Sequence, residues 1–125
     1  MVLIDTSVWI EYFKGNPKTR DINKLIDENC ICINHIILAE LRPILRTRQQ
    51  YELDDLISYL PIIPMNINWD EIIQMQCSNI RNGINNVGLP DLIILQNAMQ
   101  NKIMIWTFDK HFQLMNKIIK FKLYE

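Results

Sequence analysis

"VLIDTSVWIEYF", residues 2–13, changes its periodicity at a single acid. Val2, Leu3 and Ile4 are a short apolar run of strand character that ends at Asp5. Thr6 and Ser7 then offer capping hydroxyls, and Val8, Trp9, Tyr12 and Phe13 recur at helical spacing. The stretch reads as strand, acid, helix. A strand that passes directly into a helix is the repeating unit of an α/β domain.

The same alternation continues along the chain. "GNP" punctuates, and Pro17 can open a second helix carrying Ile22, Leu25 and Ile26. "CICI" at 30–33 reads as a strand, and Asn34 caps a helix over "HIILAELRPILR" that Pro43 is expected to bend. "ELDDLISYL" is helical and "IIPM" strand-like, and "NWDEIIQMQCSNIRNG" is an amphipathic helix ended by Gly83. A polar loop leads to the apolar helix "GLPDLIILQNAM" at 88–99. "KIMIWT" is a strand, "DKHFQLM" a short helix, and "IIKFKLY" a terminal strand with period-two alternation. The expectation is one α/β domain over 1–125, with a mostly parallel central sheet of four to five strands covered on both faces.

Composition narrows the classes. The chain has 125 residues, 49% apolar and 22% charged, which excludes disorder and fibrous structure. Its apolar runs stop at four residues, far below the ~20 that span a bilayer. No basic-then-apolar leader opens it, so a cytoplasmic location is expected. Cys30, Cys32 and Cys77 are odd in number and lie at no ligand-like spacing from His35 or His111, so they read as structural thiols. The net charge of -1 argues against a strongly basic nucleic-acid binder, but setting four clustered carboxylates aside leaves 13 basic residues against 10 acidic ones. Arg42, Arg46 and Arg48 form one basic group and Lys117, Lys120 and Lys122 another.

Those four carboxylates carry the chemistry. Asp5 closes the first strand, and Asp109 stands two residues past Thr107 at the end of "KIMIWT". If the two strands are neighbours, their acids converge where parallel sheets collect ligands, beyond the strands' carboxyl ends. The helical neighbours of Glu40 are Ile36, Ile37, Pro43 and Ile44, all apolar, so an inward carboxylate needing a partner is expected there. Asp91 begins a stripe continued by Ile94, Leu95 and Ala98, while Gln96, Asn97 and Gln100 occupy other faces. A first-turn acid interacting with the helix dipole accounts for Asp91 taken alone. Four such acids together suit a hard, oxygen-preferring cation such as magnesium or manganese, and with it phosphodiester hydrolysis. The three glycines are scattered at 15, 83 and 88, so no phosphate-cradling loop is present.

At these residues the chain resembles the PIN-domain ribonucleases, and within them the VapC-like toxins of bacterial and archaeal toxin–antitoxin pairs. "LIDTSVWIEYF" is similar to the opening strand and helix of that family, "ILAEL" to its second acidic motif, "GLPDLIIL" to its third and "WTFDKHF" to its last. The blocks cover about a third of the chain and occur in order. The resemblance implies a three-layer α/β/α fold and a Mg2+- or Mn2+-dependent endoribonuclease acting on single-stranded or loop RNA. It implies Asp5, Glu40, Asp91 and Asp109 as catalytic metal ligands, with Thr6, Ser7 and Thr107 orienting carboxylates or water. It also implies that Arg81 contacts phosphate or an acid, and that the toxin is a homodimer inhibited by a small antitoxin. "LRPIL" departs from the family pattern at Pro43, beside Glu40.

Two other classes compete. A non-catalytic PIN-like RNA- or protein-binding module would keep the groove without cleavage. A receiver domain of two-component signalling also gathers acids at strand ends, but here no acidic pair ends the first strand, and "CICI" and "IIPM" are followed by asparagines.

Overall fold

In the computed structural model, which describes residues 1–125, the first strand lies at the centre of a parallel sheet. The strands are β1 (Val2–Ile4), β2 (Ile31–Cys32) and β3 (Met104–Trp106), in the order β2-β1-β3. Val2, Leu3 and Ile4 pair with Met104, Ile105 and Trp106 on one side, and Val2 and Leu3 with Ile31 and Cys32 on the other. All three residues of β1 are buried. Successive strand residues point to opposite faces, so both faces are covered and the molecule has three layers.

The expected four to five strands become three, because the outer two shrink to single bridges. "IIPM" meets the sheet only where Ile62 bridges Ile33, with Ile33 N–H donating to Pro61 O at 2.9 Å and Ile63 N–H to Ile33 O at 2.9 Å. "IIKFKLY" meets it only where Leu123 bridges Ile105. Pro61 and Pro64 bracket the first of these segments and have no N–H to extend a ladder.

Helices supply the outer layers: α1 (Thr6–Phe13), α2 (Asp21–Asp27), α3 (His35–Thr47), α4 (Tyr51–Ser58), α5 (Trp69–Arg81), α6 (Leu89–Gln100) and α7 (Lys110–Met115). Pro17 opens a 3-10 turn over Pro17–Thr19 ahead of α2, which buries Ile22 and Leu25. Asn34 caps α3 as expected, its Oδ1 accepting from Ile37 N–H at 2.9 Å. Pro43 does not end that helix; it sits exposed inside it, and α3 runs on to Thr47. α5 stops in a Schellman motif. Gly83 takes φ 75° and donates to Ile80 O at 3.2 Å, and Ile84 N–H reaches Asn79 O at 2.8 Å.

The core is one cluster that includes the fully buried Trp9, Leu3, Ile4, Ile37, Ile57, Leu92 and Phe112. α6 is the apolar helix that the sequence implied, and its burial extends to the polar positions: every residue from Leu92 to Ala98 is buried, Gln96 and Asn97 among them. The polar side chains are paired inside. Asn97 accepts from Asn34 Nδ2 at 2.9 Å and donates to Pro64 O at 2.8 Å, while Gln96 donates to Asn68 O at 3.0 Å and Glu71 Oε1 at 2.7 Å. These bonds let α6 run through the interior and bring Asp91 to the sheet's carboxyl edge without leaving buried amides unpaired.

No helix is long and apolar enough to cross a membrane. All three cysteines are free; Cys32 is buried and the other two half-buried. Arg42 and Arg46 both pair with Asp54, at 3.2 and 3.1 Å, so one carboxylate is shared by two of the three arginines of the first basic group.

Candidate active site

The register of β1 and β3 sets the site. Ile4 pairs with Trp106, and Asp5 N–H donates to Trp106 O at 2.9 Å, so Asp5 and Thr107 leave the sheet side by side. The adjacency expected of these strands is therefore observed. Asp5 is 5% exposed and occupies the N-cap position of α1, yet its side chain caps nothing. Instead its Oδ2 accepts from Ser7 Oγ at 2.8 Å and from Thr107 Oγ1 at 2.9 Å. Both bonds fall on one oxygen, and Oδ1 is left to face the site. The two hydroxyls are themselves oriented: Ser7 Oγ accepts from Phe108 N–H at 3.0 Å, and Thr107 Oγ1 from Asp109 N–H at 2.9 Å.

Asp109 caps α7 through His111 N–H at 2.9 Å, as a simple cap would, and also enters the cluster. Ligand atoms of Asp91, Asp109 and His111 all lie within 4.8 Å of one another. Asp5 and Glu40 lie outside that tightest set but are close enough to act on Asp91 electrostatically. Burial, then the charges of Asp109, Asp5 and Glu40, push the Asp91 carboxyl up to about 6, with His111 opposing. Its place in the first turn of α6 would favour the ionised form. Desolvation and three like charges outweigh that, contrary to the reading of Asp91 as an acid served by its helix dipole.

Glu40 corrects a second expectation. Its helix turns Ile37, Leu38, Leu41 and Leu45 to the core, while Glu40 lies on an exposed flank with Pro43 also exposed. The carboxyl reaches over α1, where Thr6 Oγ1 donates to Oε1 at 3.0 Å. Although the residue as a whole is exposed, crowding at its tip raises its pKa; the Thr6 bond opposes the shift and the Asp5 charge adds to it. Apolar neighbours in the sequence implied an inward carboxylate, and the packing of α3 leaves Glu40 on its flank instead.

No lysine or arginine joins the cluster. The ion pairs of the molecule are Glu11–Lys14 and Asp54 with Arg42 and Arg46; the His111 ring lies 3.5 Å from Asp109 and would pair with it only as imidazolium. Arg81 ends α5 exposed and pairs with none of the four acids. Four carboxylates meeting without a basic partner fit a divalent cation of hard, oxygen-preferring character. His111 is the candidate that the sequence reading left out of the site. It was weighed only against the cysteines, and the available signal was its position two residues after Asp109, within the first turn of the same helix.

The description "PIN domain" matches residues 2–118. The chain belongs to the PIN domain family. That membership removes the receiver-domain alternative. Solved structures with the same fold include VapBC2 from Rickettsia felis bound to a DNA fragment of its promoter, at TM-score 0.75 and 23% identity, covering 100% of this PIN domain and 98% of that chain. DNA-bound VapBC from Salmonella typhimurium aligns at TM-score 0.76 and 20% identity, over 98% and 96% of the two chains. VapBC-1 from nontypeable Haemophilus influenzae aligns at 0.72 and 18%, over 100% and 98%. No curated protein matches the sequence of this PIN domain.

Proposed function

We propose that this PIN domain is a cytoplasmic, Mg2+- or Mn2+-dependent endoribonuclease, the toxin of a toxin–antitoxin pair. The observation that carries the reading is the convergence of Asp5, Glu40, Asp91 and Asp109 with no lysine or arginine to balance them. These four would hold the cation. When bound, it would lower the pKa of a water for attack on a phosphodiester and balance charge on the phosphate. The remaining work belongs to the chain. Ser7 and Thr107 hold one oxygen of Asp5 so that the other is presented in a fixed direction, and Thr6 does the same for Glu40. Ionising Asp91 in a buried position beside three other carboxylates is unfavourable, and a bound cation would relieve that repulsion. Arg81, exposed at the end of α5, is assigned to the phosphate backbone of RNA rather than to the acids.

The partner proteins follow from fold and surface. The VapBC structures share this fold across nearly the whole chain, which supports a small cognate antitoxin as partner. Trp69, Ile73 and Ile80 are 55%, 59% and 63% exposed and fall on one side of α5, an apolar stripe that supports a homodimer. The test of the activity is RNA cleavage by the purified chain with Mg2+ or Mn2+ and with chelator. Cleavage should require the cation and vanish in Asp5→Asn. Undiminished cleavage by a folded Asp5→Asn protein would remove the assignment.

A further inference from the structure

We infer that His111 supplies a nitrogen ligand to the cation at this site, giving it a preference for manganese over magnesium that an all-carboxylate set would lack. The inference rests on the metal-dependent reading above and concerns which cation that site selects.

Three observations carry it. The imidazole offers a ligand atom within 4.8 Å of those of both Asp91 and Asp109, so one ion can reach all three. Its Nδ1 lies 3.5 Å from Asp109 Oδ1, too long for a good hydrogen bond, and no other protein group bonds to the ring. The helix that carries the ring is anchored: Phe112 and Met115 of α7 are fully buried, and the backbone N–H of His111 donates to Asp109 Oδ1 at 2.9 Å. A half-buried imidazole on an anchored helix beside two carboxylates, with no hydrogen bond to its ring nitrogens, is arranged to coordinate.

The chemistry gives a consequence for selectivity. Magnesium is a hard ion that binds through oxygen in a strict octahedron and keeps much of its water. Transition cations accept imidazole nitrogen, and affinity for a mixed site rises along the first row from manganese onward. Removing His111 should therefore weaken manganese while leaving magnesium nearly unaffected. A purely structural histidine would change both equally or neither.

The experiment uses the full chain, stripped of metal and titrated with Mn2+ or Mg2+. Pulsed electron paramagnetic resonance of bound Mn2+ should show nitrogen hyperfine coupling in the unaltered protein, a readout independent of cleavage and of any variant's folding. In His111→Gln that coupling should disappear and Mn2+ affinity fall about tenfold, with Mg2+ affinity changing by no more than about twofold. Bound Mn2+ that depends on Asp91 but shows no nitrogen coupling would overturn the role of His111 and leave the nuclease reading intact. Equal weakening of both cations in His111→Gln would also overturn it. No Mn2+ binding at all would overturn both this inference and the metal-dependent reading.

Discussion

Asp91→Asn is expected to make the metal-free protein more stable while removing its cleavage activity. The Asp91 carboxyl titrates near 6 in the folded chain instead of at its ordinary 3.8, because of burial first and the charges of Asp109, Asp5 and Glu40 next. Between those values the folded state holds a proton that the unfolded state has released. Stability therefore falls as pH rises through this window, and it stays lower above it. Two units correspond to about 3 kcal/mol, and solvent screening at a half-buried group reduces this to about 1–2 kcal/mol. Losing the helix-dipole contribution of a first-turn acid returns about 0.3–1 kcal/mol. The net gain for asparagine at pH 7.5 is about 1 kcal/mol, or roughly 3–5 °C in Tm for a chain of this size. Thermal unfolding with chelator at pH 7.5 and pH 3 measures it. The variant should lead at pH 7.5, and the two proteins should converge towards pH 3, below both the unfolded and the folded pKa of Asp91. Saturating Mn2+ should reverse the order, since a cation at 100 times its Kd adds about 2.7 kcal/mol to the protein that binds it. An Asp91→Asn protein that is less stable at pH 7.5, or a gap that ignores pH, would refute the electrostatic account.

Three further outcomes concern the supports of the site. Ser7→Ala and Thr107→Val each strip a donor from the buried Asp5 carboxylate and should cost about 1.5–3 kcal/mol in urea unfolding. Because both hydroxyls serve one oxygen and lie 3.5 Å apart, the double variant should depart from additivity by at least about 0.5 kcal/mol; additive losses would count against a shared role. Asn97→Ala leaves the Asn34 amide unpaired in the interior and removes a part-buried bond to the Pro64 carbonyl, and should cost about 1–3 kcal/mol, with a loss within error contradicting the network. Burial holds the Cys32 thiol up at about 11, so iodoacetamide at pH 8 should modify Cys30 and Cys77 first and Cys32 only on unfolding, as read by peptide mass spectrometry.

Much of the arrangement was legible because its signals are local. Strand character and helical spacing on either side of Asp5 place that acid at a strand end, and Asn34 and Gly83 mark helix boundaries by capping chemistry. Reading failed where a residue's environment comes from distant chain. The neighbours of Glu40 in α3 are apolar, but the core face of that helix is set by Ile37, Leu38, Leu41 and Leu45 against the other elements, which leaves Glu40 on the flank. Gln96 and Asn97 read as lying off the Asp91 stripe of α6, and they can be buried because Asn34, Pro64, Asn68 and Glu71 supply partners from elsewhere. "IIKFKLY" alternates as a strand should, yet strand pairing depends on a neighbour, and only Leu123 finds one.

The amino-acid order by itself determined the α/β class, the position of Asp5, Asp91 and Asp109 at element ends, and the hydroxyls beside them, since capping and periodicity act within a few residues. Tertiary structure decided which charges meet. Pairing of β1 with β3 sets Asp5 against Thr107, about a hundred residues away along the chain, and packing of α6 and α7 brings Asp91, Asp109 and His111 within reach of a single ion. Electrostatic coupling depends on distance and desolvation, and neither exists until the chain has folded.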